Sequence, residues 1–91
     1  MKRRRGALRR RYGHSSPGGL RWSEPRRGTQ RLLDVPASKG EVVVTTYPHF
    51  VEAVVAPASG TMSAEMVFKS TGDAMAWGES QAKRMGFLRA A

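Results

Sequence analysis

Two arginine triplets, Arg3–Arg5 and Arg9–Arg11, carry the clearest chemistry in this chain. A guanidinium is a planar fork of N–H donors that binds a phosphate in bidentate fashion and stacks on a base; a lysine does neither as well. Ten of the eleven basic side chains in residues 1–31 are arginine, with Lys2 the exception. Glu24 alone opposes them, so residues 1–31 carry +10, while residues 32–91 carry five basic and six acidic groups, a net −1. A polycation placed before a near-neutral segment is the pattern of an interaction arm for a polyanion, with DNA or RNA the leading partner. Tyr12 and Trp22 are interleaved with the arginines, where aromatic rings stack on unpaired bases. The expected nucleic-acid-binding residues are therefore Arg3, Arg4, Arg5, Arg9, Arg10, Arg11, Tyr12, Arg21, Trp22, Arg26, Arg27 and Arg31.

Chemistry beyond binding is not written in this sequence. His14 and His49 lie far apart, there is no cysteine, and no close acid pair joins them, so neither a metal site nor a cofactor is expected. Asp34, Glu41, Glu52 and Glu65 are scattered rather than paired for acid–base work. Ser15-Ser16 sits beside His14 in a Gly/Pro-rich stretch too loose to hold reacting groups within hydrogen-bond reach. Gly18-Gly19 lacks the strand–loop–helix setting of a phosphate loop. The expectation is a non-enzymatic protein.

The arm is read as residues 1–40. Gly6 and Gly13 weaken any helix between the triplets, and Pro17-Gly18-Gly19, Pro25 and Gly28 interrupt the chain every few residues, so this third is expected to be disordered or extended when free. Pro25-Arg26-Arg27-Gly28 resembles the Arg-Gly core of an AT-hook, which implies a minor-groove contact. Basic N-termini also address proteins to mitochondria or nuclei. Here Lys2–Tyr12 offers too few apolar residues for an amphipathic transit helix, and Lys2-Arg3-Arg4-Arg5 is a short, common match. No apolar run approaches the length of a membrane span. A cytoplasmic, nucleoid-associated or virion location fits this composition.

Residues 41–91 are read as a small folded domain. Glu41–Tyr47 is β-branched and bounded by Gly40 and Pro48, which reads as a strand. Phe50–Ala56 is a second such run, although Pro48 before it also suits the start of a helix, leaving 48–56 open between strand and helix. Pro57-Ala58-Ser59-Gly60 supplies a turn. In the segment that follows, Met62, Ala64, Met66 and Phe68 alternate with Ser63, Glu65, Val67 and Lys69, as in a half-buried antiparallel strand. A helix then begins at Ser70, with Asp73 in its first turn. Its apolar face reads Ala74, Trp77, Gly78, Gln81, Ala82 and Met85, with Glu79 and Lys83 pointing away as an i,i+4 pair and Gly86 as the stop. Trp77, Phe68, Met66 and Met85 are the expected core, and Trp22 is not.

The fold class is thus α+β: a disordered basic N-terminal arm, then a two- or three-stranded antiparallel sheet packed on one C-terminal helix. The hairpin ending in Phe68-Lys69-Ser70, followed by Asp73-Ala74-Met75-Ala76-Trp77, resembles short β-hairpin–helix modules of bacterial and phage proteins. It is topologically similar to the AP2 and integrase N-terminal DNA-binding domains over roughly 41–88. That resemblance implies DNA reading by a sheet face lined with basic and aromatic residues; the outward positions here are Ser63, Glu65, Lys69 and Glu52. One helix covers only one sheet face, so a homodimer through the sheet is a further expectation. Two other functional readings remain: a structural component of a virion or ribonucleoprotein, and a protein-interaction module whose basic tail is incidental or a targeting address.

Overall fold

The computed structural model describes residues 19–60 and 63–88. Four strands, β1 (Thr29–Arg31), β2 (Gly40–Thr46), β3 (Val51–Pro57) and β4 (Ala64–Phe68), form one antiparallel sheet in sequence order, and helix α1 (Thr71–Arg84) follows them. The α+β class and the C-terminal helix are as expected from sequence, with one strand more. The segment left open between strand and helix is β3, paired along its whole length with β2 from Gly40↔Pro57 to Thr46↔Val51.

Alternation sorts the sheet into two faces. Val42 and Val44 of β2 and Val51, Ala53 and Val55 of β3 are buried beneath α1. The opposite face presents Arg31, Glu41, Val43, Thr45, Glu52, Val54, Glu65 and Val67, and no element covers it among the described residues. The helix opens as its sequence specifies: Ser70 is extended and its Oγ accepts from the Asp73 N–H at 3.1 Å. It closes with Phe87 N–H donating to the Ala82 carbonyl and Gly86 N–H to that of Lys83, which turns Phe87 back into the core.

The structure departs from the sequence expectation in three places. The boundary near residue 40 falls inside the fold, because residues 21–33 form a hairpin that supplies β1 and a limb beside it. Trp22 bridges Leu32, and Arg26 bridges Thr29. Four residue steps on the limb oppose three on β1, so the limb carries one extra residue, a bulge that bends it. Ser23 N–H donates to the Arg31 carbonyl at 2.9 Å, the Ser23 Oγ accepts from the Arg31 N–H, and buried Gln30 donates from Nε2 to the Ser23 carbonyl.

Second, the central tryptophan is Trp22, only 1% exposed, while Trp77 is half-buried at the rim against Phe68, ring centroids 5.9 Å apart. Met66 and Met85, expected in the core, are 46% and 40% exposed. The reason is where the helix lies. A Cβ placed on Gly78 would sit 2.7 Å from Val42 Cγ1 and 3.5 Å from the Trp22 ring, so α1 presses down over β2 and the limb. Edge strand β4 is left largely uncovered.

Third, Glu79 does not point away to pair with Lys83. It is buried and its Oε2 accepts the Trp22 indole N–H at 2.8 Å. A buried carboxylate is tolerable only with a donor in place, and the tryptophan supplies one.

Candidate nucleic-acid interface

The basic residues of the first hairpin are positioned by its turn. Arg26 N–H donates to the Thr29 carbonyl at 2.9 Å and Thr29 N–H returns a bond to Arg26 at 3.0 Å. Arg27 and Gly28 stand between them with φ of +54° and +80°. Positive φ at both central positions marks a type I′ turn, whose twist matches that of a two-residue hairpin. Gly28 is required twice over, since a Cβ there would meet the Thr46 carbonyl oxygen at 2.8 Å. Arg27 is the residue out of place, as a left-handed conformation costs a residue with a Cβ about 1–2 kcal/mol. The turn displays Arg26 and Arg27 to solvent, and the Arg-Gly element that resembled an AT-hook is therefore a hairpin tip rather than an extended strand.

Not every arginine of the hairpin is free to bind. Arg21 Nε contacts Asp34 Oδ1 at 3.2 Å, and its backbone N–H reaches Oδ2 of the same carboxylate at 3.3 Å. The pair is largely solvated, worth about 1 kcal/mol or less, but it neutralises the Arg21 charge. Arg26, Arg27 and Arg31 are exposed and make no ion pair among the described residues. A surface hollow is lined by Ser23, Glu24, Arg26, Thr29, Gln30 and Arg31, so two of these arginines border one concavity.

Trp22 must be removed from the expected binding set. A ring 1% exposed, with its N–H committed to Glu79, cannot stack on a base. Arg3, Arg4, Arg5, Arg9, Arg10, Arg11 and Tyr12 lie outside the described residues. The chain enters the fold at Gly19–Leu20, beside Leu33, Pro36 and Leu88, at the end of the hairpin opposite its tip. From Arg21 to Arg26 the limb spans roughly 15 Å, so basic residues run along this edge rather than gathering at one point.

The tip end of the sheet holds residues that sequence reasoning missed. Gly28 accepts at its carbonyl from the Thr46 N–H at 2.8 Å, which seats the Arg26–Thr29 turn beside the β2–β3 turn. That second turn, Tyr47-Pro48-His49-Phe50, is exposed throughout, and its two rings stack on each other with centroids 4.8 Å apart. Thr46 Oγ1 lies 3.2 Å from Thr71 Oγ1, bringing the start of α1 and exposed Lys69 to the same end. Aromatics on both sides of a proline between two strands were the available signal.

The open sheet face is poorly suited to phosphate. It carries Glu41, Glu52 and Glu65 against Arg31, so its field repels a polyanion. Among the described residues no three His, Asp or Glu side chains gather as a metal set, and no helix is long and apolar enough to cross a membrane.

Fold and surface together define a one-helix α+β platform with a basic edge. Comparison with protein-family models, with curated proteins and with solved structures finds no match.

Proposed function

We propose that this protein binds nucleic acid without catalysing a reaction, through arginine contacts to phosphate that are tolerant of sequence. One observation carries the reading: residues 1–31 carry +10 and the remainder −1, with arginine in ten of the eleven basic positions of residues 1–31. Arg26 and Arg27 extend that charge onto the exposed hairpin tip, while the open face, where Arg31 stands among Glu41, Glu52 and Glu65, disfavours binding by the sheet. The test is salt dependence. Each phosphate neutralised contributes a slope of about −0.9 in log K against log salt on duplex, and about −0.7 on single strands. Removing residues 1–18 takes away seven basic groups and leaves the described fold intact. Affinity for a mixed-sequence oligonucleotide is expected to fall at least thirtyfold and the slope to flatten. Retention of affinity within about threefold at about 0.15 M salt, a margin of ~0.65 kcal/mol, contradicts the proposal.

The open sheet face supports a second copy as a partner. Arg31, Val43, Val54 and Glu65 stand in register across the four strands. A two-fold axis parallel to the strands sets Arg31 against the partner's Glu65 and Val43 against the partner's Val54. An axis across the strands sets like charge on like. With few apolar groups at its centre, the dimer is expected to be weak. Arg31→Glu and Glu65→Arg should each abolish self-association in sedimentation runs, and the double variant should restore it. Arg31 and Glu65 are three strand spacings apart in one chain, about 14 Å, so rescue reports contact between chains. A protein monomeric up to about 1 mM contradicts this pairing.

A further inference from the structure

We infer that Tyr47 and Phe50 form a stacking platform for unpaired bases, so that the folded part of the chain selects single-stranded DNA or RNA over duplex. This rests on the nucleic-acid reading above and names the form of nucleic acid it prefers.

The two rings lie 4.8 Å apart with planes inclined by 27°, and they are 42% and 40% exposed. They are not needed to close their turn, because Tyr47 N–H already donates to the Phe50 carbonyl at 2.8 Å. Neither ring packs against the hydrophobic core, which is built from Trp22, the sheet valines, Met75 and Phe87. Two aromatic rings therefore stack on each other at an exposed turn, outside the core, in a chain with few aromatic residues to spare. Their neighbours supply the rest of a base-and-phosphate site. The Arg26–Arg27 turn is fastened to the adjacent strand end through the Gly28–Thr46 bond, and Lys69 flanks the opposite side. A base has a flat π-face whatever its identity, so a ring platform beside guanidinium groups recognises any unpaired nucleotide. In a duplex those faces are occupied by neighbouring base pairs, and the platform has nothing to stack on. The strained φ of Arg27 fits this arrangement, since strain is retained where a side chain has to be presented in one place.

The test uses the full chain and its Tyr47→Ala/Phe50→Ala double variant, with Tyr47→Phe as the conservative control. Fluorescence anisotropy measures binding to an oligonucleotide of about 12 nucleotides, single-stranded and annealed to its complement. The double variant is expected to lose about tenfold on the single strand, equivalent to ~1.4 kcal/mol, and less than about twofold on duplex. Tyr47→Phe retains the single-strand affinity, because the ring and not the hydroxyl is at work. Both rings stand outside the core, so the double variant loses one stacked contact, worth a fall of a few degrees in melting temperature, and keeps a cooperative melt. Unchanged single-strand affinity, or equal losses on both substrates, overturns the platform while leaving the nucleic-acid reading standing. A parent chain that binds neither substrate overturns both.

Discussion

The limb at residues 20–33 and helix α1 make an instructive contrast. The helix shows its role openly, with a capping serine, a 3.6-residue apolar period and a glycine stop. The limb is polar, rich in arginine, broken by proline and glycine, and has no periodicity over a useful window. Yet the fold needs both equally. Trp22 of the limb fills the space beneath Gly78 of the helix, and Glu79 of the helix receives the Trp22 N–H. Charge density describes what a segment does toward solvent and says little about a single large side chain pointing the other way.

The most damaging way to break this partnership is Trp22→Ala. Truncation of a buried tryptophan costs about 3–5 kcal/mol, a large share of the stability available to a domain this small, and it also strands the Glu79 carboxylate. Thermal melts should show a protein that is unfolded or nearly so. Trp77→Ala, which removes a half-buried ring and one tilted aromatic contact, is expected to cost about 1–2 kcal/mol and leave a cooperative melt.

Gly78→Ala attacks the same contact from the helix side, with a smaller effect. Alanine favours a helix over glycine by about 1 kcal/mol, so an exposed site would be stabilised. Here the new methyl would meet Val42 at 2.7 Å, and overpacking of that kind costs about 1–3 kcal/mol. A net loss in denaturant midpoint supports the close approach; a gain contradicts it.

Arg27→Asn sharpens the comparison at the far end of the limb. Asparagine followed by glycine is the favoured pair for a type I′ turn, and relief of the left-handed arginine should add about 0.5–1 kcal/mol. The same variant should weaken oligonucleotide binding modestly and reduce its salt slope by about one phosphate. Stability and binding moving in opposite directions would mark Arg27 as a residue kept for its contact rather than for the turn.

How far the sequence could be read follows from the same contrast. β2, β4 and α1 are legible because a β-branched run, period-two alternation and a capped amphipathic helix are all local signals, whereas β3 stays open between strand and helix because Pro48 suits either. β1 is not legible: Thr29-Gln30-Arg31 is short and polar, and its pairing with Val43–Thr45 is decided across the sheet. Gly28 read as a chain breaker when it is half of a hairpin turn, because Arg-Gly is not the usual pair there. Glu79 read as a surface acid because nothing local reveals that an indole N–H lies opposite. Of the candidate site, Arg26, Arg27 and Arg31 were legible from residue type alone. Tyr47 and Phe50 read as strand ends in the sequence, since only the adjacency of two turns brings them beside the arginines.

The arginine-rich limb is part of the folded core, joined to the helix through the buried Trp22–Glu79 hydrogen bond. Hydrogen exchange of the two indole protons, followed by NMR on the full chain, tests it directly. The Trp22 proton, buried and bound to Glu79, should exchange only through global unfolding, at the rate of the slowest backbone amides of β2 and β3. The Trp77 proton, at the half-buried rim, should exchange much sooner. Glu79→Gln keeps an acceptor and should preserve most of the Trp22 protection. A Trp22 proton that exchanges as fast as that of Trp77 in the parent protein would contradict the account and return the limb to the solvent-facing arm its composition suggests.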